Sequence, residues 1–318
     1  RFKLGDDNEE PEFSFMSWIG MLFSAGLGVG IVFWGVAEPL THYLHSPFPG
    51  KVPDQSPESA RLAMGYTFFH WGISQWSIFA MAGLIVAYFQ FRKKRDGLIS
   101  TAMEPVFGEA YKRPIRNVID ILAIIATVMG IATSIGLGIM QISGGLNHVF
   151  HVPNNNITKI SITLLMMIIF IGSGITGLGR GVKWLSNLNI ILGALLLIFM
   201  LIFGDLKFIF ESYTLAIGDY IRHFVEYSLR IDPYTNNNAW IQQWTVFYWA
   251  WVISWSPFIG GFVARVSRGR TIREFILCVL VVPPLISFVW ICGFGGTAIK
   301  IAMGGDKIAS LVDKDYTV

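Results

Sequence analysis

The stretch QWTVFYWAWVISWSPFIGGFVARVSRGRTIREF, from Gln243 to Phe275, joins an apolar run rich in tryptophan to a basic ending. At helical spacing, five of its aromatic side chains fall on one stripe: Phe247, Trp251, Trp255, Phe258 and Phe262. Such a stripe fits either a packed core or the wall of a binding site. Pro257 removes a backbone hydrogen bond, so we predict an interrupted helix there, and interrupted helices at membrane depth usually line a site.

The composition predicts an all-α integral membrane protein. Hydrophobic residues make up 53% and charged residues 14% of the 318 positions, and the mean hydropathy is +0.55. Soluble domains carry roughly 25% charged residues. Seven apolar segments are long enough to span a bilayer: Trp18 to Ala37, Phe68 to Phe91, Val118 to Leu146, Ile160 to Ile175, Leu185 to Phe203, Ile241 to Val263 and Phe275 to Phe294.

The basic residues next to these spans fall mainly in alternate loops. They are Arg92, Lys93, Lys94, Arg95, Lys112, Arg113, Arg116, Arg180, Lys183, Arg265, Arg268, Arg270 and Arg273. By the positive-inside tendency these loops are cytoplasmic, and the protein crosses the plasma membrane several times. Because topology explains the basic charge, we expect no nucleic acid partner.

The first span, SAGLGVGIVFWGVAEP, carries glycine at every second position from Gly26 to Gly30. Gly26 and Gly30 are spaced for close helix packing, but Gly28 lies off that face. Together the three glycines cost a helix roughly 3 kcal/mol relative to alanine. The run therefore suits either packing or an unwound segment that a ligand can approach. Glu38 and Pro39 are predicted to end the span near the outer surface, with a hydrated carboxylate.

The second span contains FFHWGISQWSIF, in which Trp71, Trp76 and Phe79 lie within about 140° of one another on a continuous helix. This aromatic face also fits either a core or a site. We interpret His70 as a packing histidine, because no second His, Asp or Glu follows at metal-ligand spacing. In the third span, the hydroxyl of Thr127 is expected to bond back to its own helix, with a ligand role as the alternative.

Residues Phe208 to Arg230 predict an amphipathic helix at the outer membrane surface. Its polar side comprises Asp219, Arg222, His223, Glu226 and Arg230. Its apolar side comprises Ile217, Ile221, Phe224 and Val225.

The motifs AGLGVGIVFWGVAEP, FFHWGISQW and Gln243 to Phe275 together resemble the betaine/carnitine/choline transporter family of secondary carriers. The resemblance implies a five-plus-five inverted repeat of the leucine-transporter type, preceded by two extra helices. It divides this membrane domain into a first five-helix repeat (residues 13–204), the surface helix and its loop (205–238) and the start of the second repeat (239–318). The chain, whose polar first residues carry no signal-peptide pattern, is then expected to be a piece of a longer protein.

The resemblance implies a box of aromatic rings around a quaternary ammonium group. Carried over, the substrate-binding residues are Trp71, Trp76, Phe79, Trp251 and Trp255, with the backbone of Gly26, Gly28 and Gly30. A quaternary ammonium has no N–H to donate, so ring faces must hold it, at up to about 2 kcal/mol each. Three such contacts give roughly 6 kcal/mol, an affinity between millimolar and micromolar.

The chain departs from the family pattern at several positions. Phe79 stands where betaine carriers often have tyrosine, and Val252 replaces a second tryptophan beside Trp251. Within the glycine run, leucine and valine replace the more usual methionine and isoleucine. Gly30 stands where choline carriers tend to place an aspartate. A glycine there favours a zwitterion that brings its own carboxylate.

The resemblance also implies sodium as the coupling ion. One site would use Ser24 and Leu27, and a second would use Thr127 and Phe258. Ile131 replaces a hydroxyl one turn from Thr127. Transport without sodium therefore stays open, and no other cofactor is expected.

We thus expect a sodium-coupled importer of glycine betaine or a similar osmolyte, acting in osmoprotection by alternating access. A sodium-independent carnitine/betaine exchanger and a choline carrier are alternatives. A seven-helix receptor is a rival, although no span holds a buried lysine for a retinal Schiff base. No H-E-x-x-H or G-x-S-x-G motif predicts an enzyme. The resemblance further implies a homotrimer, in which the surface helix takes part.

Overall fold

The computed structural model describes residues 2–26, 28–48, 50–108, 113–175, 183–231, 233–234 and 238–305. Over these residues the regular structure is helical, and an isolated β-bridge joins Lys3 to Thr271. The helices are α1 (Phe15–Gly26), α2 (Val29–Leu44), α3 (Pro57–Trp71), α4 (Ile73–Ala87), α5 (Ile99–Phe107), α6 (Arg113–Phe150), α7 (Asn156–Ile175), α8 (Lys183–Phe203), α9 (Leu206–Ser228), α10 (Ala239–Ile241), α11 (Phe247–Val266), α12 (Ile272–Ile291) and α13 (Thr297–Met303). Single π-helical turns occupy Tyr88–Arg92, Gln242–Val246 and Cys292–Gly296.

Within the described residues, five helical stretches are long and apolar enough to cross a membrane. They are Pro57–Arg92, Arg113–Phe150, Asn156–Ile175, Ala239–Val266 and Ile272–Met303. The number rises to six if the bent pair Asn187–Phe203 and Leu206–Ser228 counts as one span. The chain is therefore a multi-pass membrane protein. This count is lower than the seven predicted spans, because the first predicted span is divided into two helices that are each too short to cross a membrane.

The division of the first span lies in the glycine run. Helix α1 ends at Gly26, Gly28 is extended at φ −93° and ψ 177°, and α2 starts at Val29. Of the two alternatives for this run, the described residues show the unwound segment. The predicted end of the span at Pro39 is wrong, since α2 continues to Leu44. Its last two turns bury Leu40, Tyr43 and Leu44 in the core, and this packing favours a helix through the proline.

A second break separates α3 from α4 at Gly72, which is extended at φ −91° and ψ −150°. The amide of Ile73 donates a hydrogen bond to the hydroxyl of Tyr220, 3.0 Å away on α9. A Cβ atom on Gly72 would lie 2.5 Å from the carbonyl oxygen of Phe68 and 2.7 Å from the Tyr220 hydroxyl. The continuous helix predicted here is wrong. Glycine has no Cβ atom, so Gly72 can adopt this extended conformation in the crowded turn where the helix is interrupted.

Helix α11, by contrast, runs unbroken through Pro257, so the predicted interruption there was wrong. Proline leaves the carbonyl of residue 253 without its helical donor. The Ser256 hydroxyl donates to that carbonyl at 2.8 Å, which satisfies it locally. The predicted aromatic stripe is present: Trp251 and Trp255 stack with centroids 6.3 Å apart, and Trp255 and Phe258 with centroids 6.4 Å apart.

Helix α9 bends by 110° from the helix before it, which agrees with a helix along the membrane surface. The predicted assignment of a polar and an apolar side to α9 is wrong in part. Asp219 is buried and accepts two hydrogen bonds from Arg61, at 2.8 and 2.6 Å, whereas Ile221 and Val225 are 69% and 65% exposed. The side facing α3 is the one that carries Asp219, Tyr220 and Tyr227, so aromatic packing decides which face turns inward.

The N-terminal segment packs against the basic loops on one face of the molecule. Leu4 exchanges backbone hydrogen bonds with residues 269 and 270, at 2.8 Å each. Three ion pairs link its acids to the loops: Arg92–Asp7 at 2.5 Å, Lys94–Asp6 at 2.7 Å and Arg265–Glu12 at 2.5 Å. These loops therefore lie on the same side, as the charge pattern predicts.

Two clusters of buried apolar residues form the core. The first joins α2, α3, α9, α11 and α12, and the second joins α1, α4, α11 and α12. Helix α11 belongs to both. The break at Gly28 lies next to Trp255 of α11, and the break at Gly72 lies next to Tyr220 of α9.

Candidate functional site

Aromatic rings from two directions enclose a small cavity beside the extended Gly28. We call it the cage, and it is lined by Gly28, Gly30, Ile31, Trp71, Gln75, Phe79, Trp251, Val252 and Trp255. Trp71 comes from the end of α3, and Phe79 comes from α4 beyond the break. Trp251 and Trp255 come from successive turns of α11. The structure thus joins most of the predicted box in one place.

The rings surround the glycine backbone closely. Trp71 meets Trp251 edge to face, with centroids 6.2 Å apart and planes at 80°. A Cβ atom on Gly30 would lie 2.4 Å from Trp251, and one on Gly28 would lie 3.6 Å from Trp255. The free volume of the cage is about 10 Å³, room for about one water molecule. In this conformation the rings are nearly closed on one another.

The polar groups of the cage are few. The indole nitrogen of Trp251 donates to Ser134 at 3.3 Å, and that of Trp71 donates to Glu38 at 3.1 Å. Among the described residues, nothing accepts a hydrogen bond from the buried Trp255 indole nitrogen. Gly28 caps α2 without a side-chain bond to the first amides of that helix. The positive end of a helix and an indole N–H therefore lie beside the aromatic faces, an arrangement suited to an anionic group.

A buried polar cluster lies directly behind Trp71. Glu38 is fully buried and accepts hydrogen bonds from Tyr248 at 2.5 Å and from Trp71, while its other oxygen lies 2.5 Å from Nδ1 of His70. His42 Nε2 lies 3.5 Å from the same oxygen. The predicted hydrated carboxylate was therefore wrong, because α2 continues and places Glu38 inside the helix bundle.

His70 is buried and hydrogen-bonded, as predicted for a packing histidine, but the premise that no acid or second histidine lies near it was wrong. It considered spacing along the chain, whereas Glu38 and His42 come from the adjacent helix α2. The spacing of Glu38 and His42, four residues apart on one helical face, is the signal that could have found the cluster.

The comparison with known families decides the class. A family description, "BCCT, betaine/carnitine/choline family transporter", matches residues 1–318. The chain belongs to this family.

Similar transporters come from several bacteria. The chain is 53% identical to the ectoine/hydroxyectoine transporter of Virgibacillus pantothenticus, over 100% of this chain and 63% of that protein. It is 48% identical to the glycine betaine transporter OpuD of Bacillus subtilis, over 96% and 59% of the two chains. It is 39% identical to the high-affinity choline transport protein of Escherichia coli K12, over 96% and 45%. The chain thus spans about three fifths of the length of the first two relatives. The family and these relatives are transporters rather than enzymes.

Among the described residues, Trp76 is a predicted box residue of this BCCT chain that does not line the cage. Trp76 is fully buried and belongs to the second core cluster, where its ring meets Phe79 edge to face at 5.6 Å. Gly26, the last residue of α1, belongs to residues 23–27, whose surroundings lie outside the described part of the chain.

Of the four predicted sodium residues of the BCCT chain, Thr127 and Phe258 can be placed in the structure. Leu27 and the side chain of Ser24 lie outside the described residues. Thr127 and Phe258 line one cavity of about 280 Å³, together with Asp120 and Pro257. The Thr127 hydroxyl donates to the carbonyl of Ala123 at 2.8 Å, as expected, and its oxygen lone pairs can still accept.

Proposed function

We propose that the full-length protein is a secondary carrier that imports glycine betaine or a similar zwitterionic quaternary ammonium osmolyte by alternating access. The observation that carries the proposal is the cage, in which Trp71, Phe79, Trp251 and Trp255 converge on the backbone of Gly28. Ring faces without a nearby unpaired carboxylate are what a permanently methylated cation requires.

The proposed orientation of the substrate follows from the two kinds of group in the cage. The trimethylammonium end contacts the indole faces. The carboxylate end takes the Trp255 N–H and the first amides of α2, at the positive end of that helix. Glu38, the buried acid behind Trp71, already accepts from several donors, so it is not available as a counter-ion for choline. The cage therefore favours a zwitterion over choline.

Alternating access accounts for the small volume of the cage. With about 10 Å³ of free space, a betaine molecule enters only after the rings move apart. The breaks at Gly28 and Gly72 place extended residues on either side of the cage, where small changes in backbone angle reorient α2 and α4. We infer that these are the moving parts, within the inverted repeat that the family resemblance implies.

The direct test of this function is uptake of labelled glycine betaine by the full-length protein in proteoliposomes. We expect saturable uptake above that of empty vesicles. Absence of uptake, with the protein folded and correctly inserted, would contradict the proposal.

We further propose that sodium drives uptake and that Thr127 contributes to its site. The support is the shared cavity of Thr127 and Phe258. Thr127→Ala should raise the sodium concentration required for half-maximal uptake. Thr133→Ala is the matched control, because Thr133 also bonds back to the same helix and does not line that cavity. Uptake that is unchanged when potassium replaces sodium would favour the exchanger instead.

A ring-shaped zwitterion such as ectoine is a second candidate substrate. Val252 lines the cage at the position where the family usually has tryptophan, which leaves a smaller wall on that side. The relative named for ectoine and hydroxyectoine transport is consistent with a wider cage. Competition of unlabelled ectoine against labelled betaine decides between the two substrates. If ectoine displaces the label completely at a lower concentration than unlabelled betaine does, ectoine is the preferred substrate.

We also propose a homotrimer in the plasma membrane, with the basic loops cytoplasmic. Helix α9 supports an interface role, because Ile221 and Val225 are exposed although α9 packs on α3. The mass of the full-length protein in detergent tests the trimer. A monomeric mass would contradict it.

A further inference from the structure

We propose that Glu38, His42 and His70 form a binding site for Zn²⁺, separate from the substrate cage and from the sodium residues. One ligand atom from each side chain lies within 4.8 Å of the other two, and all three residues are fully buried. The inference does not depend on the transport function proposed above.

Three protein ligands with a water in the fourth position make a tetrahedral zinc site, and the two distances from Glu38 are close to that geometry. The oxygen Oε1 of Glu38 lies 2.5 Å from Nδ1 of His70 and 3.5 Å from Nε2 of His42. Ligands bound to zinc at about 2.0–2.1 Å are roughly 3.3 Å apart in a tetrahedron. The ion therefore requires Glu38 and His70 to separate by less than about 1 Å, and it replaces the proton that they share.

Outer hydrogen bonds already orient two of the three ligands. The other Glu38 oxygen accepts from Tyr248 at 2.5 Å and from Trp71 at 3.1 Å. Nε2 of His70 lies 3.0 Å from the hydroxyl of Thr245, in the π-helical turn before α11. Such partners fix the ring and the tautomer of a metal-bound histidine. With Nδ1 bound to the metal, Nε2 of His70 carries the ring proton and donates a hydrogen bond to the Thr245 hydroxyl.

The third ligand, His42, supplies the independent observation. Within the described part of the chain, neither of its ring nitrogens has a hydrogen-bond partner, although the side chain is fully buried. A buried unsatisfied polar group costs about 1–3 kcal/mol. Its Nε2 points toward Glu38, and coordination would satisfy it. Two imidazoles and one carboxylate are a donor set that suits zinc, whereas sodium and magnesium prefer oxygen alone.

Metal binding by the full-length protein in detergent tests the site, after removal of bound metal with a chelator. Zn²⁺ is titrated against a chromophoric competitor, and Co²⁺ serves as a spectroscopic substitute for coordination geometry. The variants are His42→Gln and His70→Gln. The matched control is His148→Gln, since His148 is exposed at the end of α6.

We expect one zinc ion per chain and a tetrahedral Co²⁺ spectrum, both retained in His148→Gln. In His42→Gln the affinity should fall by about 100-fold or more. If that variant does not fold, Thr245→Val offers a second route, with about tenfold weaker binding expected from loss of the outer hydrogen bond. Failure of the wild type to bind, or equal affinity in wild type and His42→Gln, would overturn the proposal.

Discussion

At the residue scale, Phe79 and Trp76 have different surroundings, although they are about one helical turn apart on α4. Both are buried in the second core cluster, but Phe79 also lines the cage. Sequence spacing treats them alike, and their different surroundings give them different predicted effects.

Phe79→Leu keeps much of the volume but removes the ring face. We expect betaine affinity to fall by about 2- to 30-fold, equivalent to roughly 0.5–2 kcal/mol of cation–π energy, together with a lower thermal midpoint, because Phe79 is also buried in the core. Trp76→Leu should lower the thermal midpoint and leave affinity close to that of the wild type. Binding calorimetry and thermal unfolding measure both effects. A loss of betaine affinity in Trp76→Leu, with none in Phe79→Leu, would show that Trp76 rather than Phe79 contacts the substrate.

At the element scale, the breaks at Gly28 and Gly72 and the continuous α11 determine the geometry of the cage. The first break was predictable, because three alternating glycines oppose a helix locally. The second was not predicted, since it depends on Tyr220, which is 148 positions from Gly72 in the chain. The continuity of α11 depends on a serine hydroxyl that replaces the missing donor near Pro257. Local composition therefore predicts where a helix is weak, and tertiary contacts decide whether it breaks.

The same distinction applies to the candidate site. The aromatic stripe of α11 follows from helical period alone, and the structure has it as predicted. The cluster of Glu38 with His70 was missed because its members come from different helices. The burial of the Glu38 carboxylate was also missed. It depends on where α2 ends, and Pro39 led to the prediction of an end that is too early.

Gly72→Ala tests the second break. The added methyl would lie 2.5 Å from the carbonyl oxygen of Phe68, so backbone or Tyr220 must move. We expect a loss of roughly 1–3 kcal/mol of stability, seen as a lower thermal midpoint in detergent. Gly144→Ala in α6 is the control, because no atom lies within 4 Å of its added methyl. Equal midpoints for the two variants would contradict the role assigned to this turn.

At the scale of the whole molecule, the N-terminal segment ties the basic loops together through exposed ion pairs. Hydrogen bonds from Lys94, Arg92 and Arg265 hold the pKa values of Asp6, Asp7 and Glu12, respectively, below their usual range. Groups with a lowered folded-state pKa stabilise the structure above their unfolded pKa, and this contribution is lost as pH falls through the folded value.

We therefore expect the segment to remain attached at neutral pH and to loosen below about pH 4, the range in which unperturbed carboxylates gain protons. Hydrogen exchange at the amides of Leu4, Gly269 and Ile272, corrected for the intrinsic rate, reports this change, because these amides bond between the segment and the loop. Protection that is independent of pH from 7 to below 4 would show that the ion pairs contribute nothing to the attachment.

The central claim for the whole molecule is that indole rings from crossing helices hold a methylated cation. Equilibrium binding of labelled glycine betaine to the purified full-length protein tests it most directly, with Trp255→Ala compared with Trp184→Ala. Trp255 lines the cage, whereas Trp184 is 65% exposed on α8. We predict micromolar to millimolar binding in the wild type and in Trp184→Ala and none detectable in Trp255→Ala. Wild-type affinity in Trp255→Ala would contradict it.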